Sequence, residues 1–140
     1  MKKIIITLAL ACLGLLFTGC TSLNKTYATQ DAVITQFHEH FNSGKAAAIW
    51  GGAHAKFQSA FEKDAFVAYL KGVQAKLGKV TSSANVDRRM QTVNQTTTVF
   101  LLQETIFERG KGTETFTLQM DGERAILVAY NIQSKALIVK

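Results

Sequence analysis

Apolar residues recur at helical spacing along the chain after residue 30. Val33, Phe37 and Phe41 are four residues apart, and Asp31 before them is a suitable N-cap. Asn42-Ser43-Gly44 then predicts the end of this helix, because Asn and Gly favour the backbone geometry that follows a helix C-terminus. The pattern therefore predicts a first helix from about Asp31 to Phe41.

Two further helical stripes precede residue 79. The second helix is predicted to begin near Lys45, and its apolar stripe is Ile49, Trp50, Ala53 and Phe57. Gly51-Gly52 interrupts this stripe, at a cost of about 1 kcal/mol per Gly relative to Ala. The third helix is predicted to begin near Glu62 to Asp64, whose carboxylates favour a helix N-terminus, and to end at Gly78. Its apolar stripe is Phe66, Leu70, Val73 and Leu77.

From Lys79 onward, Thr, Val and Phe become frequent and strand-like alternation replaces the helical period. We predict strands over residues 79–92, 96–108, 112–120 and 123–133, and a short final strand from Ala136 to Val139. Gly110-Lys111-Gly112 and Asp121-Gly122 are turn signals, and the second is typical of a two-residue hairpin. Three helices followed by a strand meander predict an α+β fold, with the helices on one face of an antiparallel sheet of four to five strands.

The second predicted strand is apolar on both of its faces. Val99, Leu101 and Phe107 share one parity, whereas the other parity holds Phe100, Leu102 and Ile106. A sheet covered by helices on one face does not require apolar residues on the other. The pattern raises the hypothesis that a second copy of the chain covers the outer face, in a homodimer.

The first twenty residues have the pattern of an export signal. Met1-Lys2-Lys3 is cationic, Ile4 to Phe17 is almost entirely apolar, and the small residues Thr18 and Gly19 precede Cys20. This order is typical of a secretory signal peptide. A permanent transmembrane helix is the alternative, but the apolar stretch is shorter than the roughly 20 residues that a spanning helix needs.

Leu16-Phe17-Thr18-Gly19-Cys20 resembles the lipobox of bacterial lipoproteins. The resemblance implies that residues 1–19 are removed, that a diacylglyceryl group joins the Cys20 thiol and that the new amino group is acylated. Several acyl chains are enough for stable attachment to a membrane. Thr21, rather than Asp, follows the cysteine, which by resemblance to Gram-negative lipoproteins favours the outer membrane, facing the periplasm.

Residues 20–140 are enough for one domain and not for two. Thr21 to Gln30 is polar and lacks apolar periodicity, so we predict a tether over residues 20–30 and a single α+β domain over residues 31–140. Cys12 leaves with the signal segment, so no intramolecular disulfide is possible in the exported chain. Removal of Lys2 and Lys3 lowers the formal charge from +6 to +4. Scattered charge and export argue against nucleic-acid binding.

Several short motifs resemble a bacterial family of unknown function in the nuclear-transport-factor-2-like (cystatin-like) superfamily. They are Phe41-Asn42-Ser43-Gly44, Trp50, Phe57, Phe66, Leu77-Gly78-Lys79-Val80, Phe107, Glu114-Thr115-Phe116-Thr117-Leu118 and Tyr130-Asn131-Ile132. The resemblance covers roughly Asp31 to Ser134 and implies a curved sheet that forms a cone with the helices. In that superfamily the cone serves some members as an enzyme site and others as a binding site.

Glu114 is the polar residue with the most informative surroundings. It shares parity with Phe116, Leu118 and Met120, so we expect it to face inward, where burial raises a carboxyl pKa. Four other residues are candidate pocket or ligand contacts: Glu104, Tyr130, Trp50 and Arg88. Arg88 or Arg89 could pair with either acid, so the polar residues form either a pocket mouth or structural ion pairs.

Other chemistry has weaker support in the sequence. His38 and His40 point about 200° apart on a helix, and the spacing of zinc hydrolases is absent, so we predict no metal site and expect solvent-facing or capping histidines. No serine lies in a nucleophile elbow. The aromatic residues Trp50, Phe57, Phe61 and Phe66 could line an apolar cavity but are more typical of a core.

These observations favour a non-enzymatic envelope lipoprotein whose domain binds a partner protein or a small apolar ligand, without a cofactor. Two alternatives remain open at this stage. One is an enzyme in which Glu104 or Glu114 is the general base and Tyr130 or His54 assists. The other is a structural protein of the cell envelope.

Overall fold

Four strands form one antiparallel sheet, in which each strand pairs with the next along the chain. They are β1 (Val80–Val93), β2 (Thr96–Phe107), β3 (Gly110–Asp121) and β4 (Arg124–Gln133). Asp121 pairs with Arg124 around the two-residue turn Gly122-Glu123, in which the φ of Gly122 is +60°. The predicted hairpin is confirmed, with its turn one residue later than Asp121-Gly122. The four long strands lie where the alternation predicts them.

In the part of the chain that the structure describes, five helices accompany the sheet: α1 (Cys20–Asn42), α2 (Ala46–Gly52), α3 (Ala55–Ala60), α4 (Lys63–Leu77) and α5 (Lys135–Ile138). The computed structural model describes residues 20–139, and the predicted signal segment, residues 1–19, lies outside the described residues, as does the side chain of Cys20. Within residues 20–139, no helix is both long and apolar enough to cross a bilayer.

The helix ends follow from local chemistry. Gly44 and Gly78 have φ values of +68° and +78° and stand just beyond α1 and α4, as the sequence predicts. Glu62 caps α4 by accepting hydrogen bonds from the backbone N–H groups of Asp64 and Ala65. The predicted second helix is split into α2 and α3, because the backbone is extended at Ala53 and His54.

The core lies between the helices and the inner face of the sheet. Helix residues Phe37, Phe41, Phe66, Leu70 and Leu77 pack there against sheet residues Val99, Leu101, Phe107, Phe116 and Leu118. Helices packed on one face of an antiparallel sheet confirm the predicted α+β class, with four strands.

The outer face of β2 carries the second apolar parity. Phe100 and Leu102 are half-buried on this face, whereas Ile106 is exposed. The strand is therefore apolar on both faces, as its sequence indicates.

The predicted tether over residues 20–30 is wrong as a description of local structure. These residues form the first half of α1, and Gln30 is fully buried. Asp31 is therefore not an N-cap: it lies inside the helix and forms an ion pair with Arg88. This half of the helix is held to the sheet mainly by polar contacts with residues that come much later in the sequence. It therefore needs no apolar stripe, and its sequence shows none.

Two other local predictions are wrong. Gly110-Lys111-Gly112 lies within β3, and the turn falls at Glu108-Arg109 instead. Gly112 faces Ile132 and Phe107 so closely that a Cβ atom would lie 3.1 Å and 3.2 Å from their side chains. The short final strand from Ala136 to Val139 is a helical turn, α5, capped by the Ser134 hydroxyl.

β1 and β4 are the two edges of the sheet. The backbone N–H of His54 donates to the carbonyl of Leu127 at 2.8 Å, which covers part of the β4 edge. The pairing register of β1 shifts twice, between Val80 and Ser82 and between Asn85 and Asp87.

Candidate functional site

A single carboxylate, Glu114, lies at the centre of the polar interior. It faces the helices from β3, as its parity predicts, and only 1% of its surface is exposed. Its strand neighbours on the same face, Phe116 and Leu118, are fully buried. A buried carboxylate must be matched by hydrogen-bond donors, because an unpaired one is very costly.

Three side chains from three other elements contact this carboxylate. Oε2 of Glu114 lies 2.7 Å from His38 Nε2 on α1 and accepts a hydrogen bond from Thr105 Oγ1 on β2 at 2.6 Å. Oε1 accepts a hydrogen bond from the Tyr130 hydroxyl on β4, also at 2.6 Å. Both carboxylate oxygens are thus engaged, and the cluster links α1 to three strands.

The hydrogen-bond network extends toward the edge of the sheet. The Ser83 hydroxyl on β1 lies 3.0 Å from Thr105 Oγ1 and 3.2 Å from Gln103 Oε1. Since Thr105 donates its proton to Glu114, its oxygen can accept one from Ser83. A continuous polar chain therefore runs from β1 to the buried carboxylate.

The charge of Glu114 acts on two tyrosines. Burial first, and then the charge and hydrogen bond of Glu114, hold the pKa of Tyr130 well above its usual value, so this phenol remains a donor at neutral pH. Burial also raises the pKa of Tyr69, a backbone hydrogen bond at Ile132 opposes this, and the charge of Glu114 adds to the increase.

Aromatic rings pack around the cluster. The centroids of Phe37 and Tyr130 are 4.4 Å apart, and Phe116 lies 5.0 Å from Phe37 and 5.1 Å from Tyr130. The interior beside Glu114 is therefore largely filled by aromatic side chains, and Glu114 itself is sealed from solvent.

His38 connects the buried cluster to a small cavity. The cavity has a volume of about 260 Å³ and is lined by Asp31, Ile34, Thr35, His38, Ser83, Asn85 and Gln103. Nε2 of His38 contacts Glu114, and Nδ1 has no hydrogen-bond partner in the described residues. Within residues 20–139, no fully buried side-chain nitrogen or oxygen lacks a partner, so Nδ1 is not sealed off. Nδ1 therefore keeps some exposed surface, on a residue that lines this cavity.

Of the five predicted contact residues, the fold brings only Glu114 and Tyr130 together. Glu104 is exposed on the outer face, where it lines a cavity of about 810 Å³ with Lys111 and Lys135. Glu104 pairs with Thr113, the residue before Glu114 on β3. Successive residues of a strand point to opposite faces of the sheet, so Glu104 and Glu114 cannot share a pocket.

Arg88 and Trp50 have structural positions. Arg88 contacts Gln30 and Asp31, and its guanidinium lies 4.5 Å from the centre of the Tyr27 ring, so the predicted pairing with Glu104 or Glu114 is wrong. Arg89 pairs with Asp87. The indole of Trp50 donates to the Phe61 carbonyl at 2.7 Å.

The aromatic residues near Trp50 pack against one another. Ring centroids of Phe57 and Phe61 lie 5.0 Å and 5.4 Å from that of Phe66. They form core or pack against it, as aromatic residues at helical spacing usually do.

Two residues that contact Glu114, His38 and Thr105, are missing from the candidates that the sequence predicts. The sequence predicts solvent-facing or capping histidines, which is correct for His54, whose Nδ1 accepts the Lys56 N–H at 3.1 Å, but wrong for His38. The available signal was position: Ile34, Phe37 and Phe41 surround His38 at i−4, i−1 and i+3 on α1. Within residues 20–139, no three His, Cys, Asp or Glu side chains converge on a metal position.

A solved structure is similar to this chain. No protein-family model matches the chain, and no curated protein matches it significantly. The crystal structure of "Putative Scytalone Dehydratase" from Novosphingobium aromaticivorans is similar, with a TM-score of 0.48 and 12% identity over 82% of this chain and 87% of that one. The dehydratase activity in that title refers to the Novosphingobium protein alone.

Proposed function

We propose that the chain is a non-enzymatic, lipid-anchored envelope protein whose domain binds a small hydrogen-bonding molecule at the His38 cavity. The supporting observation is that His38, whose Nε2 contacts the buried Glu114 carboxylate, also lines this cavity. The sequence favours a small apolar ligand. The cavity is lined mainly by polar side chains, so the ligand we propose is polar instead.

The tautomer of His38 follows from its partners. An ionised Glu114 carboxylate can only accept hydrogen bonds, as it does from Thr105 and Tyr130, so the Nε2–H group of His38 donates to it. In neutral imidazole the remaining nitrogen is then an acceptor. Nδ1 therefore offers a fixed lone pair to a ligand that carries an O–H or N–H group.

The size of the cavity limits the ligand. A volume of about 260 Å³ is slightly below the ~300–1,000 Å³ that is usual for ligand sites. Ser83, Asn85 and Gln103 add hydroxyl and amide groups to its wall. We therefore expect a small, neutral and polar ligand rather than an extended apolar one.

An acid–base enzyme is the second candidate function, and the same pair of residues favours it. A carboxylate that orients an imidazole is the usual way to prepare a histidine general base. Glu104 is on the outer face, and both oxygens of Glu114 are occupied, so in this alternative the base would be His38 Nδ1.

A fragment experiment tests the binding site. Neutral fragments with one O–H or N–H donor should shift the Nδ1 resonance of His38 in ¹⁵N NMR spectra, and their O- or N-methylated analogues should not. His38→Gln should weaken binding about fivefold, the worth of one hydrogen bond of roughly 1 kcal/mol. His40→Gln is the matched control, since His40 lines a different cavity with Ile49.

Two outcomes contradict the proposal. Fragments that bind equally well to His38→Gln would place the site elsewhere. Deuterium appearing on a fragment carbon in D₂O, and disappearing in His38→Gln, would indicate proton abstraction and favour the enzyme.

We also propose that the outer face of the sheet meets a second copy of the chain. Phe100 and Leu102 lie half-buried on this face beside the exposed Ile106. Light scattering on the lipid-free domain should give the mass of a dimer. A monomeric mass for both the unchanged domain and the Ile106→Lys variant would contradict the proposed dimer.

A further inference from the structure

The first half of α1 is built into the domain. Lys25 Nζ forms an ion pair with Glu123 Oε2 at 2.9 Å, which places the β3–β4 turn beside this part of the helix. Arg88 holds Tyr27, and the buried amide of Gln30 lies 3.9 Å from the sulfur atoms of both Met90 and Met120. The helix is therefore fixed to the sheet to within a few residues of Cys20.

β1 runs antiparallel to α1. At one end Asn42 exchanges two hydrogen bonds with the backbone of Val80, and towards the other end Gln30 meets Met90. The last residues of β1 therefore continue beyond Gln30, toward the N-terminal end of α1. The β1–β2 turn and the β3–β4 turn both lie at this end of the domain.

Four large apolar side chains are exposed at the same end. Leu23 is 56%, Tyr27 39%, Met90 42% and Val93 54% exposed, and we refer to these four residues as the anchor-end patch. Single exposed apolar residues are common on protein surfaces. This group differs because it lies where the lipobox resemblance places the lipid.

The helical rise sets the distance of the patch from the anchor. At 1.5 Å per residue, Leu23 lies about 4.5 Å and Tyr27 about 10 Å along the helix axis from Cys20. A flexible tether of ten residues would instead allow ~35 Å. If Cys20 carries acyl chains, the continuous helix brings the patch to the depth of the lipid headgroups.

We propose that the anchor-end patch is a membrane-contact surface, which lies against the same lipid bilayer that holds Cys20. The inference rests on the proposed lipid anchor and adds a fixed orientation to it. The two strand turns face the bilayer, whereas the end with Ser43, Gly78 and α5 points away from it. Leu23 and Val93 insert among the headgroups, and Tyr27 lies at the interface that suits its ring and hydroxyl.

Site-specific fluorescence tests the orientation in the mature lipoprotein, reconstituted in vesicles of phosphatidylethanolamine and phosphatidylglycerol. Cys12 is removed with the signal segment and lipid blocks the Cys20 thiol, so Val93→Cys provides the one thiol for an environment-sensitive dye. We expect its emission to shift to the blue and to be quenched by spin-labelled lipid. Ser43→Cys, exposed and about 34 Å from Cys20 along the helix axis, should emit as in water.

Double substitution separates insertion from anchoring. Leu23→Glu with Met90→Glu should remove the quenching at position 93 while the protein still floats with the vesicles. Ile138→Glu, at an exposed position near the opposite end, should leave the quenching unchanged.

The outcomes distinguish the two proposals. Flotation without quenching at position 93, or equal quenching at positions 93 and 43, would overturn the membrane-contact surface and leave the lipid anchor standing. Failure of the lipoprotein to float would remove the anchor, and the membrane-contact surface would fall with it.

Discussion

Glu114→Ala is expected to lower the free energy of unfolding by about 3–5 kcal/mol, because each buried donor left without a partner costs about 1–3 kcal/mol. The substitution leaves three donors unpaired: the His38 ring, the Thr105 hydroxyl and the Tyr130 hydroxyl. It also opens a cavity beside Phe116. Chemical denaturation followed by circular dichroism measures the difference.

Glu104→Ala is the matched control for this prediction. Glu104 lies on the neighbouring strand, but it faces outward and is exposed, so its removal should change the free energy of unfolding by less than about 0.5 kcal/mol. Glu114→Gln keeps the side-chain volume and should fall between the two, since its amide can accept only part of the three hydrogen bonds. Equal stabilities for Glu114→Ala and Glu104→Ala would show that the buried network contributes nothing to stability.

Cys20→Ser is expected to abolish lipid attachment in a bacterial host. With no thiol to carry a diacylglyceryl group, the precursor should keep residues 1–19 and incorporate no labelled palmitate. Each buried CH₂ of an acyl chain contributes about 0.8 kcal/mol to membrane binding, so loss of the chains should release the domain from alkali-washed membranes.

Cys12→Ser is the internal control for the anchor, since it removes the other cysteine of the chain. This variant should be processed and labelled normally. Palmitate incorporation into Cys20→Ser at the normal level would contradict the lipobox interpretation.

The sequence predicts the sheet well because strand alternation is a local property. Residues two apart share a face, so Phe116 and Leu118 alone indicate that Glu114 faces inward. The hairpin at Gly122 is predicted by the Asp121-Gly122 pair alone. The end of α1 likewise follows from Gly44, whose positive φ is easily reached by glycine.

The errors occur where distant contacts decide the structure. The first half of α1 has no apolar period. It is held by Arg88 and Glu123, which lie 57 and 98 residues from their partners in the sequence. The sequence predicts that His38 faces solvent, because its partner Glu114 is on β3, far away in the sequence. The C-terminal Ala136–Val139 segment has strand-like residues, but α5 forms because the Ser134 hydroxyl caps it.

The register shifts in β1 bear on how the protein behaves at high concentration. A straight edge strand of 14 residues would offer a long row of free backbone N–H and C=O groups, which is a template for cross-chain strand addition and aggregation. Two irregularities in the first half of β1 break that row, and charged Asp87 and Arg89 follow immediately. A second chain could therefore pair with short stretches of this edge only. Many copies concentrated on one surface are then protected from joining edge to edge into a continuous sheet.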